Sequence, residues 1–213
     1  MSQSIARLIR TLQPNIDCVM PHRLVRTPES MRDQAWISFL QVHNGLSAFN
    51  GGLRIFGTVS DPLPATEEWN STSEGWRAAY HELDEGLYFF AEDILGNQFG
   101  FDRQGMVYRF LAETGDREPC GKGFEEWLQR MLADPVEELS LWLLEDWLRE
   151  NSKPRLSEHL CPKMPFVAQG ATEISNLYTC GRLESMSFKG SFAHQIRNIV
   201  TGEQIQIRIK LPS

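Results

Sequence analysis

Ile5, Leu8, Ile9 and Leu12 recur at three- and four-residue steps, the period that lines one face of a helix. The same period runs through Met31, Ala35, Trp36, Phe39, Leu40 and His43. Ahead of that run, Thr27-Pro28-Glu29 supplies an N-cap residue and a proline for the first helical position. Asn44-Gly45 then ends the helix, since glycine accepts the left-handed cap. After the turn Asn50-Gly51-Gly52, the period changes and Leu53 to Val59 reads as a strand. Asp61 to Gly75, with its prolines and polar residues, reads as a loop, and Trp76 to Leu83 as a short helix. Leu87 to Ala91, Gln98 to Phe101 and Val107 to Leu111 form three strands. The joins between them contain Gly or Asn, which fits an antiparallel meander. Helical spacing returns in Phe124 to Leu132 and in Glu137 to Glu150.

After Asn151 the pattern weakens. Lys153-Pro154 and Cys161-Pro162-Lys163-Met164-Pro165 read as a proline-punctuated linker. Beyond it we expect strands near Leu177 to Thr179 and Leu183 to Phe188, and a helix near Phe192 to Ile199. The last expected strand is Gln204 to Leu211, whose strict alternation implies one buried and one wet face.

Length and composition add that this chain folds around a sizeable core: it has 213 residues, 41% of them apolar. The opening segment lacks the apolar stretch and cleavage site of a secretion signal, and no run approaches a membrane span. We therefore expect a cytoplasmic protein with no membrane partner. Cys18, Cys120, Cys161 and Cys180 are scattered, as reduced thiols would be, and no C-x-x-C pair signals zinc.

The formal net charge is -7, and it is unevenly placed. Glu67 to Asp93 holds eight acids against the single base Arg77, whereas residues 151–213 hold eight bases and four acids. Such a balance argues against nucleic-acid binding, which relies on Lys and Arg neutralising phosphates. The acidic segment reads either as an ordinary solvated surface or as a docking face for a basic protein. Trp69 stands out within it, since a large aromatic there must tuck back or meet a partner. The candidate partner-binding residues are Glu67, Glu68, Trp69, Asn70, Asp84, Glu85, Glu92 and Asp93.

Catalytic and metal motifs are not found. The five histidines lack H-x-x-x-H spacing. Asp93, Asn97 and Asp102 fail the calcium-loop pattern, which would need an oxygen ligand at Leu95; they suit the turns of the meander instead. Gly121-Lys122-Gly123 lacks the rest of a phosphate loop. We expect no cofactor, no metal and no enzymatic activity.

The segments that give this chain its shape resemble the SUKH superfamily, which includes the yeast cell-wall-assembly regulator domain and many bacterial immunity proteins. The residues concerned are His43-Asn44-Gly45, Asn50-Gly51-Gly52, Leu53 to Gly57, Glu68-Trp69-Asn70, Phe89 to Asp93, Gly96 to Asp102, Val107 and Phe124 to Leu128. The resemblance covers roughly residues 24–134. It implies an α+β fold with a mixed, mainly antiparallel sheet flanked by helices, and no shared catalytic residues. It divides the chain into a SUKH-like domain over 1–150 and a strand-helix-strand extension over 151–213. It also implies a bacterial immunity protein of a polymorphic toxin system, one that binds and neutralises a cognate toxin; the expected cytoplasmic placement points to a toxin acting there, and the acidic charge suits a basic one such as a nuclease. The alternatives are a regulatory protein-interaction scaffold and a small-ligand-binding domain.

Overall fold

The computed structural model describes residues 33–60, 62–71 and 75–199, together with Ala6. The expected helix over Ile5 to Leu12, the first turns after Pro28 and the expected strand Gln204 to Leu211 lie outside the described residues.

Helix α1 (Gln34–Val42) starts where Asp33 accepts the amide of Trp36 at 2.9 Å. The other oxygen of Asp33 accepts the amide of Phe124 at 3.1 Å, so one carboxylate caps two helices. After α1, Asn44 acts as a clamp. Its Oδ1 accepts from the amides of Thr58 and Val59, and its Nδ2 donates to the carbonyl of Val59. This holds the chain that follows Ile55 against the chain that leads into Leu46, and a Cβ on Gly57 would strike Asn44 at 2.5 Å.

Strands β1 (Leu46–Ala48), β2 (Leu53–Ile55), β3 (Tyr88–Asp93), β4 (Gln98–Phe101), β5 (Met106–Phe110) and β6 (Arg117–Lys122) pair in chain order into one sheet. Every ladder in it is antiparallel. Two successive hairpins share one turn chemistry. Asp93 accepts the amides of Leu95 and Asn97 at 2.9 Å, and Asp102 accepts those of Gln104 and Met106. Gly96 and Gly105 supply the positive φ three residues after each aspartate.

Both faces of the sheet are covered, so β3 is buried along its whole length. On one face Phe90, Phe99 and Phe101 pack with Trp36, Phe39, Phe124, Trp127 and Leu128, which come from α1 and from α4 (Gly123–Ala133). Leu141, Leu143 and Leu144 of α6 (Leu141–Glu150) join them. On the other face Phe89 and Phe110 meet Trp69 of the one-turn α2 (Thr66–Trp69), Tyr80 of α3 (Arg77–Tyr80), and Met186 and Ala193 of α7 (Arg182–Ile196). The expected α+β architecture is the one observed.

Several local expectations are corrected. Strands β1 and β6 were not foreseen: the first is three residues long, and the second is polar and carries Pro119, tolerable only because β6 is an edge. The single helix expected over Glu137 to Glu150 is broken at Ser140, whose φ is 50°, into α5 (Pro135–Glu138) and α6. Part of the expected linker is a strand, β7 (Glu158–Pro162), paired with β8 (Leu177–Gly181). The strand expected over Leu183 to Phe188 is helical and belongs to α7. The buried positions of α7 do follow a helical step, but they include Arg182, Ser185, Lys189 and Gly190, which a hydrophobic pattern does not count. Gly190 lets α7 approach α3 closely, since a Cβ there would meet Tyr80 at 2.7 Å.

Candidate functional site

The segment after Asn151 is joined to the sheet through a buried polar cluster centred on Glu92 of β3. Glu92 Oε1 accepts from Arg182 Nε at 2.7 Å and stands 3.4 Å from Arg54 Nη1. Oε2 accepts from Gln98 Nε2 at 3.2 Å and faces His159 Nε2 at the same distance, out of line for a good hydrogen bond. Glu92, Arg54 and His159 are fully buried. Both arginines also bond the carbonyls of the crossing chain: Arg54 reaches Arg155 and Glu158, and Arg182 reaches Leu156. Burial pushes the Glu92 carboxyl up, but the charges of Arg182, His159 and Arg54 outweigh it, and the group titrates well below the usual carboxylate range. Burial takes His159 down to about 4, so its ring is neutral at pH 7. Its Nδ1 lies 3.1 Å from Ser185 Oγ. Ser185, His159 and Glu92 thus stand in a row like a catalytic triad, but Ser185 is buried and the carboxylate is committed to two arginines. The row is a structural tie.

The candidate partner-binding residues divide. Glu67 and Glu68 on α2, and Glu85 in the turn before β3, are exposed. The other charged candidates are inside. Glu92 belongs to the cluster above. Asp93 is occupied by its turn, with burial raising its carboxyl to about 6. Asp84 is paired with Arg77 in a buried bridge, Arg77 also donating to the carbonyls of Asp84 and Leu87. Asn70 is half-buried, its amide spanning β3 by donating to the Phe89 carbonyl at 2.7 Å and accepting from the Phe89 amide at 2.8 Å. Trp69 is turned inward against Phe56 and Trp76, and its indole N–H donates to Gln98 Oε1 at 2.7 Å. Docking surface is therefore not what Glu92, Asp93, Asp84 and Trp69 provide in this conformation, because each is buried with its polar atoms engaged. Trp69→Phe should cost about 2 kcal/mol, because it strands a buried carbonyl and leaves a void. A change below about 0.5 kcal/mol in urea unfolding would show that the indole hydrogen bond contributes little.

A groove of about 840 Å³ opens beside Trp69. One wall is built from Ser60, Pro62, Leu63, Pro64, Glu68 and Trp76. The other comes from the extension: Ser157, Glu158 and the start of α7 from Gly181 to Glu184. Arg182 forms part of the lining, its guanidinium 5.6 Å from the Trp69 ring. Sequence reasoning missed this site because its walls are more than eighty residues apart in the chain. Among the described residues no group of three or more His, Cys, Asp or Glu side chains is placed to hold a metal ion. Among them, too, no helix is long and apolar enough to cross a membrane.

No curated protein matches the chain. The crystal structure of Atu4351 from Agrobacterium tumefaciens is similar over 90% of this chain and 89% of that one, with a TM-score of 0.56 and 11% identity. That likeness concerns the fold, and it extends through most of the extension. The model of the SMI1 / KNR4 family (SUKH-1) matches residues 33–130, from the cap of α1 into α4. Residues 33–130, which hold the six-stranded sheet and helices α1 to α3 with most of α4, are thus the part of this chain that is similar to the SUKH-1 domain of the SMI1 / KNR4 family.

Proposed function

We propose that this chain is an immunity-type protein that binds and neutralises a cognate bacterial toxin, one acting in the cytoplasm such as a nuclease, without catalysing a reaction itself. The observation that carries this reading is a surface on which acids outnumber bases. Glu67, Glu68, Glu82 and Glu85 are exposed on and beside α2 and α3; of the nearby bases, Arg77 is locked to Asp84 in the interior, and Arg117 is exposed with its guanidinium on the carbonyls of Leu83 and Glu85. A basic enzyme that grips phosphates presents the complementary charge, and an acidic protein occupying that grip blocks it. The family supports a protein-binding role of the immunity or regulatory kind.

The test is co-purification with the product of the adjacent reading frame, catalytically disabled. A one-to-one complex is expected, with affinity falling about tenfold or more between low and high salt. The triple variant Glu67→Lys, Glu68→Lys, Glu85→Lys should weaken it further, with an unchanged melting temperature. A complex indifferent to salt and to the triple variant would place docking elsewhere, and absence of any complex would count against the immunity reading. Asp84, Glu92 and Asp93 are left out of the variant because reversing a buried charge tests folding.

A further inference from the structure

The groove beside Trp69 has a composition that selects its occupant. Its apolar lining includes Leu63, two prolines and Leu183, the last 59% exposed. Three carboxylates stand on its walls: Glu68 from α2, Glu158 from β7 and Glu184 from the first turn of α7. Among the described residues of the lining the one base is Arg182. Its guanidinium is held inward, with Nε 2.7 Å from Glu92 and the group stacked over Trp69. What the groove offers a visitor is therefore an apolar trough with a negative rim and, among the described residues, no cation that points free into it. Glu68 accepts the Ser60 hydroxyl and Glu158 accepts the Arg155 amide, neutral donors that bring no counter-charge; a hydrophobic peptide would bury these carboxylates without one, and an anionic ligand meets repulsion. An arginine side chain satisfies both parts, because its aliphatic stem lies on apolar surface while the planar guanidinium pairs with carboxylates.

We propose that this groove seats a basic, arginine-bearing segment of a partner protein. The volume suits a few residues and not a single side chain. The proposal deepens the protein-binding reading above and rests on it for the origin of the segment. It also adds something that residues 33–130 alone do not contain. The second wall lies wholly in the extension, so the family domain and the extension make the site together. The cluster around Glu92 holds those two walls in register, since Arg182 belongs to both the cluster and the lining.

The test uses the full chain, isotope-labelled, titrated with the peptide acetyl-Leu-Arg-Gly-Arg-Leu-amide and with the same peptide carrying citrulline in place of arginine. Citrulline keeps the shape and removes the charge. The arginine peptide should shift amide resonances on both walls, at Glu68 and at Gly181 to Glu184, and the citrulline peptide should bind at least about tenfold more weakly. The variant Glu68→Gln, Glu184→Gln changes two exposed side chains and should lose about tenfold in affinity while keeping the wild-type spectrum elsewhere. Leu183→Lys, which brings its own cation to the rim, should abolish binding. Equal binding of the two peptides would overturn the charge argument. Shifts scattered over the whole acidic surface, or confined to Glu67 and Glu85, would overturn the location. The two readings fail separately. If the toxin complex forms equally with wild type and with Glu68→Gln, Glu184→Gln, the groove proposal falls and protein binding stands. If no toxin complex forms but the arginine peptide still maps to both walls, the groove stands and the immunity reading falls.

Discussion

Glu92→Ala is expected to lower the unfolding free energy by about 3–5 kcal/mol, the range seen when one partner of a buried ion pair is removed. For a chain of this size that corresponds to roughly 10 °C in melting temperature. The loss arises because Arg54 and Arg182 remain in the interior after their counter-charge is gone. Neither arginine has an easy route out, since each also donates to carbonyls of the chain between Arg155 and Glu158. That second role shapes the rest of the series. Glu92→Gln keeps an acceptor and should cost less than Glu92→Ala. Replacing Glu92, Arg54 and Arg182 together by methionine removes every charge, a change that is often neutral in buried ion clusters. Here it should remain destabilising, because the freed carbonyls have lost their donors. Limited proteolysis gives a second readout: in Glu92→Ala the first cut should fall within 151–157, a stretch exposed except at the buried Pro154 and half-buried Leu156, as the extension lifts from the sheet. A Glu92→Ala protein within about 1 kcal/mol of wild type, with unchanged cleavage, would mean that the cluster does not hold the two parts together.

That cluster also shows where reading the sequence succeeded and where it could not. The meander from β3 to β5 was legible because its determinants are local. Alternating aromatic strands are joined by turns in which an aspartate binds amides two and four residues on and a glycine follows at the third position. The burial of Glu92 was not legible. Its partners Arg54 and Arg182 are 38 and 90 residues away, and one acid looks like another until such partners arrive. Counting charge along the chain therefore placed Asp84, Glu92 and Asp93 on a surface, when two of them are inside because bases meet them and the third because a turn wraps it. The same blindness turned α7 into a strand and a short helix. Its inward face is built from Arg182, Ser185 and Lys189, polar groups whose burial depends on Glu92, His159 and the carbonyl of Leu95. The groove follows from these long-range contacts, so it too appears only in three dimensions.

Acid should act on this protein through two buried groups that pull in opposite directions. His159 titrates at about 4 in the fold against about 6.5 in the unfolded chain. The unfolded chain thus takes up the proton first, and stability falls as pH drops from 6.5 towards 4, by about 3 kcal/mol in full. Asp93 titrates at about 6 in the fold against about 3.9 unfolded. Here the folded chain takes up the proton first, so the same acidification adds stability of similar size between pH 6 and 4. The wild-type protein should therefore show a nearly flat profile from pH 7 to about 4.5. Below that, Glu92 dominates. Its folded value lies far below its unfolded one, so its contribution is present above about pH 4.3 and is lost steadily on further acidification. Single variants separate the opposed terms whatever they cost in absolute stability. Asp93→Asn should unmask the histidine, giving stability that falls steeply between pH 6.5 and 4. His159→Gln should reverse the slope, giving stability that rises from pH 6 to 4. Urea unfolding at half-unit intervals of pH reads both. Parallel profiles for the two variants would show that the flatness of the wild type has another origin, because the opposed burial of one base and one acid predicts slopes of opposite sign.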